Sequence, residues 1–267
     1  MKMKKLLTVC AACMVAGMAS AQVESQNIVG YMSPDMVGST FNMYSVPFDE
    51  VGGGGISLND LTGDFVGGAT VSTSDTIKIW DATAGGYATY YLYDKAGTPA
   101  SYYGWWNVSG GDSFDVDYPT GLPAGSTFWL KSTSLLDGAV TVAGEVGTNA
   151  VTDVVITGGT FSMVANPYPV AFSLNSTADC DWLGDDATGG ATVSTSDTIK
   201  IWDATAGGYV TYYLYNKAGT PASYTGWWNV SGGDSFDTDY PTGLPAGTAF
   251  WYKSIGAGFN ASFKKTF

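Results

Sequence analysis

Three aspartates and a pair of adjacent tryptophans occur together twice in this chain, and they offer more chemistry than any other side chains in it. Asp112, Asp115 and Asp117 lie in GGDSFDVDYPTG, and Asp234, Asp237 and Asp239 in GGDSFDTDYPTG. Carboxylates beside a Gly-rich turn are oxygen ligands for a hard cation, so Ca²⁺ is the metal such a cluster would take. On an extended strand Asp115 and Asp117 share one face. The spacing is not that of an EF-hand loop. Turn capping and a solvated acidic edge use the same residues. Ahead of each cluster stand Trp105-Trp106-Asn107 and Trp227-Trp228-Asn229. Neighbouring residues of a strand face opposite ways, so one Trp of each pair points away from a core. An exposed indole beside amide and carboxylate groups is a platform for a sugar ring, and two platforms on one chain add avidity. Loops covering both rings would make them core instead.

The rest of the reactive inventory is thin. The chain has no His, and its eleven cations are all Lys. That removes the imidazole base, shuttle and metal ligand, and the guanidinium clamp for phosphate. A serine nucleophile therefore lacks its usual base. Outside residues 1–21 the only glutamates are Glu24, Glu50 and Glu145, none of them in the duplicated block described below. A paired-carboxylate glycosidase is not indicated. The sequence is read as non-enzymatic, with Ca²⁺ the one cofactor it offers. Without Lys2, Lys4 and Lys5, eight cations face 24 carboxylates, a balance of −16. So sparse a cation set argues against nucleic acid and against an anionic membrane surface.

Those three lysines open a stretch that reads as a secretory signal peptide over residues 1–21. An apolar run, Leu6 to Met18, follows them and ends in the cleavage pattern Ala19-Ser20-Ala21. The run is too short to span a bilayer, so no transmembrane segment is expected after cleavage. The chain is expected to be exported, to the cell surface, the extracellular space or the periplasm. Acylation at Cys10 or Cys13 fits the pattern poorly. Cleavage leaves Cys180 as the one cysteine, either a small buried apolar side chain or a thiol pairing between chains.

The chain is one module written twice. Gly67–Thr133 recurs as Gly189–Ile255 at an offset of 122, with eight differences in 67 positions. They are Ala88/Val210, Asp94/Asn216, Tyr103/Thr225, Val116/Thr238, Ser126/Thr248, Thr127/Ala249, Leu130/Tyr252 and Thr133/Ile255. Upstream the match is looser: Phe41–Phe48 answers Phe161–Tyr168, and Ser57-Leu58-Asn59 answers Ser173-Leu174-Asn175. The expected layout is a β-domain over 22–147 and a second over 148–267, two beads joined near residues 146–152.

The segments read as strands. Thr76–Trp80 and Tyr87–Tyr93 are β-branched and aromatic, and Asp81–Gly86 (DATAGG) has the composition of a hairpin loop. Further strands are expected at Phe41–Val46, Gly104–Val108, Thr127–Lys131 and Ala139–Val146, each with its second copy. A short helical turn fits only after Ser57. Trp80, Trp129, Trp202 and Trp251 lie inside strands and are expected in the core. The fold class is all-β: two tandem β-sandwich-like domains preceded by a signal peptide. The last segment, Phe259–Phe267, alternates as an outer-membrane barrel strand does, but Lys265 shares a face with Phe263 and Phe267, which argues against a barrel.

The landmarks of copy two run Phe161…Asn166-Pro167-Tyr168-Pro169, Ile199-Lys200-Ile201-Trp202-Asp203, Gly208-Tyr209, Gly226-Trp227-Trp228, Leu244-Pro245-Ala246-Gly247…Phe250-Trp251. In this order the chain resembles the uncharacterised β-rich modules of secreted and surface proteins of diderm bacteria. Copy one has Ser45-Val46-Pro47-Phe48 in place of Asn-Pro-Tyr-Pro, and opens on Asn27-Ile28-Val29-Gly30-Tyr31. The resemblance implies a secreted accessory or surface role and carries over no catalytic residue. The expected function is a non-catalytic structural or adhesive protein, with polysaccharide or other surface proteins as partners. The alternative is a carbohydrate-binding module built on the Trp pairs.

Overall fold

The computed structural model describes residues 28–81, 84–97, 99, 102–219, 221 and 224–267. The expected leader, with Cys10 and Cys13, lies outside them, as does Glu24. The first half carries β1 (Val29–Met32), β2 (Asp35–Met36), β3 (Phe41–Val46), β4 (Thr62–Gly63), β5 (Thr76–Asp81), β6 (Gly86–Tyr93), β7 (Gly104–Asn107), β8 (Ser126–Lys131) and β9 (Gly138–Glu145). The second carries β10 (Val151–Ile156), β11 (Phe161–Ala165), β12 (Thr198–Asp203), β13 (Gly208–Tyr215), β14 (Gly226–Asn229), β15 (Ala249–Lys253) and β16 (Phe259–Lys264). The chain is all-β, and among the described residues the helices between strands are single turns. Among the described residues no helix is long and apolar enough to cross a membrane.

Each half is a two-layer sandwich. One layer is a five-stranded antiparallel sheet, ordered β3-β8-β5-β6-β7 in the first half and β11-β15-β12-β13-β14 in the second. The other layer is smaller: β9 with β1, β2 and β4, answered by β10 with β16. Alternation within the strands decides what lies between the layers. In Thr76-Ile77-Lys78-Ile79-Trp80, Ile77 and Ile79 are buried while Lys78 and Trp80 face the other way. Ile77, Ile79, Tyr90, Phe128 and Leu130 of the large sheet meet Val140 and Val142 of β9 in the first core. Ile199, Ile201, Tyr212, Phe250 and Tyr252 meet Ala261 and Phe263 of β16 in the second. Phe263 is thus a core residue of a sandwich, and β16 pairs with β10.

Turn chemistry follows the sequence closely. Asp203 Oδ1 accepts from the backbone N–H of Thr205 and Ala206 at 2.9 Å, closing the β12–β13 hairpin. The turn after Ser57 is a single 3₁₀ turn over Leu58–Asp60. Gly247, which starts the return into β15, has φ +82°. The segment holding Asp115 and Asp117 departs from expectation. It is a one-turn helix, Phe114–Asp117, and its copy is Phe236–Asp239. Phe114 and Phe236 are fully buried, so each turn anchors by its aromatic ring instead of extending along the sheet.

The two halves touch. The outward faces of the two five-stranded sheets pack against each other. Met43, Trp129, Ala165 and Ala249 form a third buried cluster, with Phe41, Met163, Trp202 and Trp251 around it. Trp80 meets Trp251 edge-on at 5.7 Å, and Trp202 meets Trp129 at 5.4 Å. At the offset of 122, Trp202 is the counterpart of Trp80, and Trp251 of Trp129. The contact is therefore reciprocal, like that of a two-fold dimer folded into one chain. These four tryptophans pack between the sandwiches, not inside either core. Outward faces rich in Trp, Phe and Met gain by covering each other instead of facing water.

Candidate functional site

Register sets what each outward face displays. Across the first sheet, Met43 stands opposite Trp129, Trp129 opposite Lys78, and Lys78 opposite Thr89. In the next row Tyr91 stands opposite Trp106, and Tyr93 opposite Gly104. The second sheet repeats the pattern through Met163, Trp251, Lys200, Thr211, Tyr213 and Trp228. The third buried cluster draws on the β3–β8 side of the first face and its counterpart in the second. The β6–β7 and β13–β14 margins carry aromatic ledges.

Each ledge is a small stack of rings. Tyr102 lies nearly parallel to Trp106, with centroids 6.2 Å apart and planes at 23°. Tyr93 meets Trp106 edge-on at 6.3 Å, and Tyr91 meets Tyr93 at 6.1 Å. In the second half Tyr215 meets Trp228 at 6.0 Å, and the Trp228 indole N–H donates to the Tyr224 carbonyl at 3.1 Å. Tyr102 and Tyr224 are each 51% exposed, and Trp106 and Trp228 are partly exposed. Gly104 and Gly226 occupy the positions opposite Tyr93 and Tyr215, at φ +134° and +142°. There the nearest atom to a Cβ would be the Asn59 or Asn175 amide oxygen at 2.5 Å, so the crossing needs glycine.

The other half of each tryptophan pair is core. Trp105 and Trp227 are 1% and 0% exposed, so neither can serve as a sugar platform. Asn107 and Asn229 are also spent. Asn107 Oδ1 accepts from the N–H of Ser109 and Gly110, and its Nδ2 donates to Asp117 at 2.6 Å. Asn229 does the same with Ser231, Gly232 and Asp239. Both amides build the turn after the strand.

The aspartates of each cluster turn to different partners, and among the described residues no group of three His, Cys, Asp or Glu side chains stands together as a ligand set for a metal ion. Asp115 accepts from the Ser57 hydroxyl and, at 2.8 Å, from Asn59 Nδ2. Asp237 accepts from Ser173 at 2.9 Å and Asn175 at 3.0 Å. Asp117 and Asp239 receive the hydroxyls of Tyr90 at 2.7 Å and Tyr212 at 2.6 Å. Burial first, then the carboxylate that accepts their proton, pushes both phenols well above the usual tyrosine range. Asp112 and Asp234 return the backbone instead: each carbonyl accepts from the N–H of Asn107 or Asn229 at 2.8 Å. The repeated acidic segment staples the helical turn to the sheet and to the Ser57 loop.

Sequence reasoning passed over two buried carboxylates. Asp75 and Asp197 are 0% exposed and tie the β5 and β12 entrances to the loops beside them. Asp75 accepts from the N–H of Val66 and from both the N–H and the hydroxyl of Thr133. Asp197 accepts from the N–H of Thr188 and Ile255 and from the Tyr252 hydroxyl at 2.7 Å. Cys180 is buried in the second core, which leaves it no route to another chain. Burial, then Asp185, pushes its thiol up.

Trp and Tyr at outward strand positions are the one sign in the sequence of the cleft between the sheets. Two aromatic boxes open there. Trp80, Tyr87, Thr160, Phe161, Lys200, Tyr209 and Trp251 line one of about 310 Å³. Phe41, Lys78, Tyr87, Trp129, Trp202 and Tyr209 line the other, of about 210 Å³. Comparison with protein-family models, with curated proteins and with solved structures finds no match to this chain.

Proposed function

We propose that this chain is an exported, non-catalytic adhesive protein that holds polysaccharide on its two aromatic ledges. The supporting observations are the Tyr102–Trp106 stack and, in the second half, Trp228 bonded to the Tyr224 carbonyl, with all four rings exposed in part at a sheet margin. A pyranose presents a C–H face to an indole, and the neighbouring tyrosine hydroxyls orient it. One ledge per copy gives two weak sites on one rigid support, a design suited to long repetitive chains. The acidic balance of the chain favours a neutral glycan on these margins. The leader-like residues 1–21 support export to the surface or beyond.

A glycan array probed with the mature chain and with Trp106→Ala/Trp228→Ala tests the reading. Retention of neutral polysaccharide that disappears in the double variant supports it. Silence across the array points to a purely structural role, for which the packing of the two halves against each other is the supporting observation.

A further inference from the structure

The two boxes between the sheets form a second kind of site, chemically unlike the ledges. They are counterparts: Trp80, Phe161, Lys200 and Trp251 of one answer Trp202, Phe41, Lys78 and Trp129 of the other, and Tyr87 and Tyr209 belong to both. Each holds an ammonium against rings. Lys200 Nζ lies 5.3 Å from the Phe161 centroid and 6.0 Å from that of Tyr209. Lys78 Nζ lies at the same distances from Phe41 and Tyr87. A second ammonium approaches each phenylalanine, Lys253 at 5.6 Å and Lys131 at 5.7 Å. Four of the eleven lysines therefore gather at two rings, in a chain with 24 carboxylates. Neither box has an Asp or a Glu in its lining.

We propose that these boxes bind the acidic sugar rings of an anionic polysaccharide, one uronate-type pyranose in each, with the larger box filling first. The walls supply the stacking surface, since Trp80 stands at 82° to Trp251 and 70° to Tyr87. The ammonium supplies the counter-charge for the ring carboxylate, in a space partly withdrawn from water where that pairing counts for more. Tyr87 and Tyr209 line both boxes, and a phenolic hydroxyl can donate to a sugar oxygen. The larger box stands at the lower end of ligand-pocket volumes, room for one ring and not for a chain. The net negative charge of the protein is screened over about 8 Å at physiological salt, so the local ammoniums govern. The proposal rests on the reading of this chain as a glycan binder but places the acidic glycan away from the ledges.

The test titrates the mature chain with a tetragalacturonate and with its fully methyl-esterified form, read by tryptophan fluorescence and calorimetry. The free acid binds, the neutral ester binds about tenfold more weakly or worse, and added salt weakens the acid alone. Lys200→Met weakens the acid about tenfold and Lys78→Met less, with melting temperatures close to that of the parent chain. Trp106→Ala/Trp228→Ala leaves acid binding within about twofold. Equal affinity for acid and ester, indifference to both lysine changes, or no binding of the acid overturns the proposal. If neutral glycan still binds the ledges in that case, the proposed function stands without it.

Discussion

Asp75 and Asp197 occupy the same place in the two copies and receive three donors each, but from different residues. In the first copy Thr133 supplies both its N–H and its hydroxyl, and Leu130 is apolar. In the second copy Ile255 keeps the N–H but has no hydroxyl, and Tyr252 stands where Leu130 does and supplies one at 2.7 Å. Two of the eight differences in the duplicated block thus make one exchange. A buried carboxylate with a missing partner is costly, so the pair changes together or the sheet weakens. Burial, then Asp197, drives the Tyr252 phenol far above the usual tyrosine range, as expected for a hydroxyl committed to that carboxylate.

The largest effect expected is from Asp197→Ala, which orphans three buried donors and lowers unfolding free energy in urea by about 3 kcal/mol or more. Asp75→Ala does the same for the first copy. Tyr252→Phe removes one hydroxyl and keeps the ring, for a loss of about 1.5–3 kcal/mol. Adding Ile255→Thr restores the first-copy arrangement and recovers most of that loss. Strict additivity in this double-mutant cycle would break the comparison. Alkaline titration follows in size. The folded Tyr252 holds its proton at a pH where the unfolded chain, at an ordinary value near 10, has released it. Its contribution is therefore complete below pH 10 and falls above it, by about 1.4 kcal/mol for each further pH unit. Denaturant melts from pH 8 to 12 give the slope, which flattens in Tyr252→Phe.

The face between the halves is reciprocal in its rings but not in its polar contacts. Trp202 Nε1 donates to the Phe41 carbonyl at 2.7 Å, while Trp80 Nε1 is buried with no partner. On the Trp202 side, Ser45 N–H also bonds to the Gly247 carbonyl at 3.0 Å, and Tyr44 bridges to Thr248. On the Trp80 side the sheets part into a cleft of about 620 Å³ reaching from Ile79 to Met163, against one of about 370 Å³ on the Trp202 side. Phenylalanine replacements sharpen this difference. Trp202→Phe loses a made hydrogen bond and Trp80→Phe relieves an orphan, so the first costs about 1 kcal/mol more than the second. Equal costs would mean that the two sides are energetically alike.

Strand positions were legible because alternation and turn residues act locally. Thr76–Trp80, Tyr87–Tyr93 and the DATAGG loop fold as their composition dictates. The one-turn helix at Phe114 was missed because a single turn has no periodicity to read, and only its buried ring betrays it. Trp105 and Trp106 were separable in principle by the pleat, but which of them faces inward depends on the register against Tyr91 and Leu92. The mating of the outward faces was legible only as Trp and Tyr at outward strand positions. Whether Trp80 and Trp251 meet water, a core or each other depends on contacts between segments 171 residues apart in sequence.

The ledges carry the functional account, and calorimetric titration of the mature chain with a neutral glycan selected on the array tests them most directly. The account predicts two sites per chain, one lost with Trp106→Ala, the other with Trp228→Ala and both in the double variant, with the melting temperature essentially unchanged. Undiminished binding in the double variant, or a single site indifferent to either change, would contradict it.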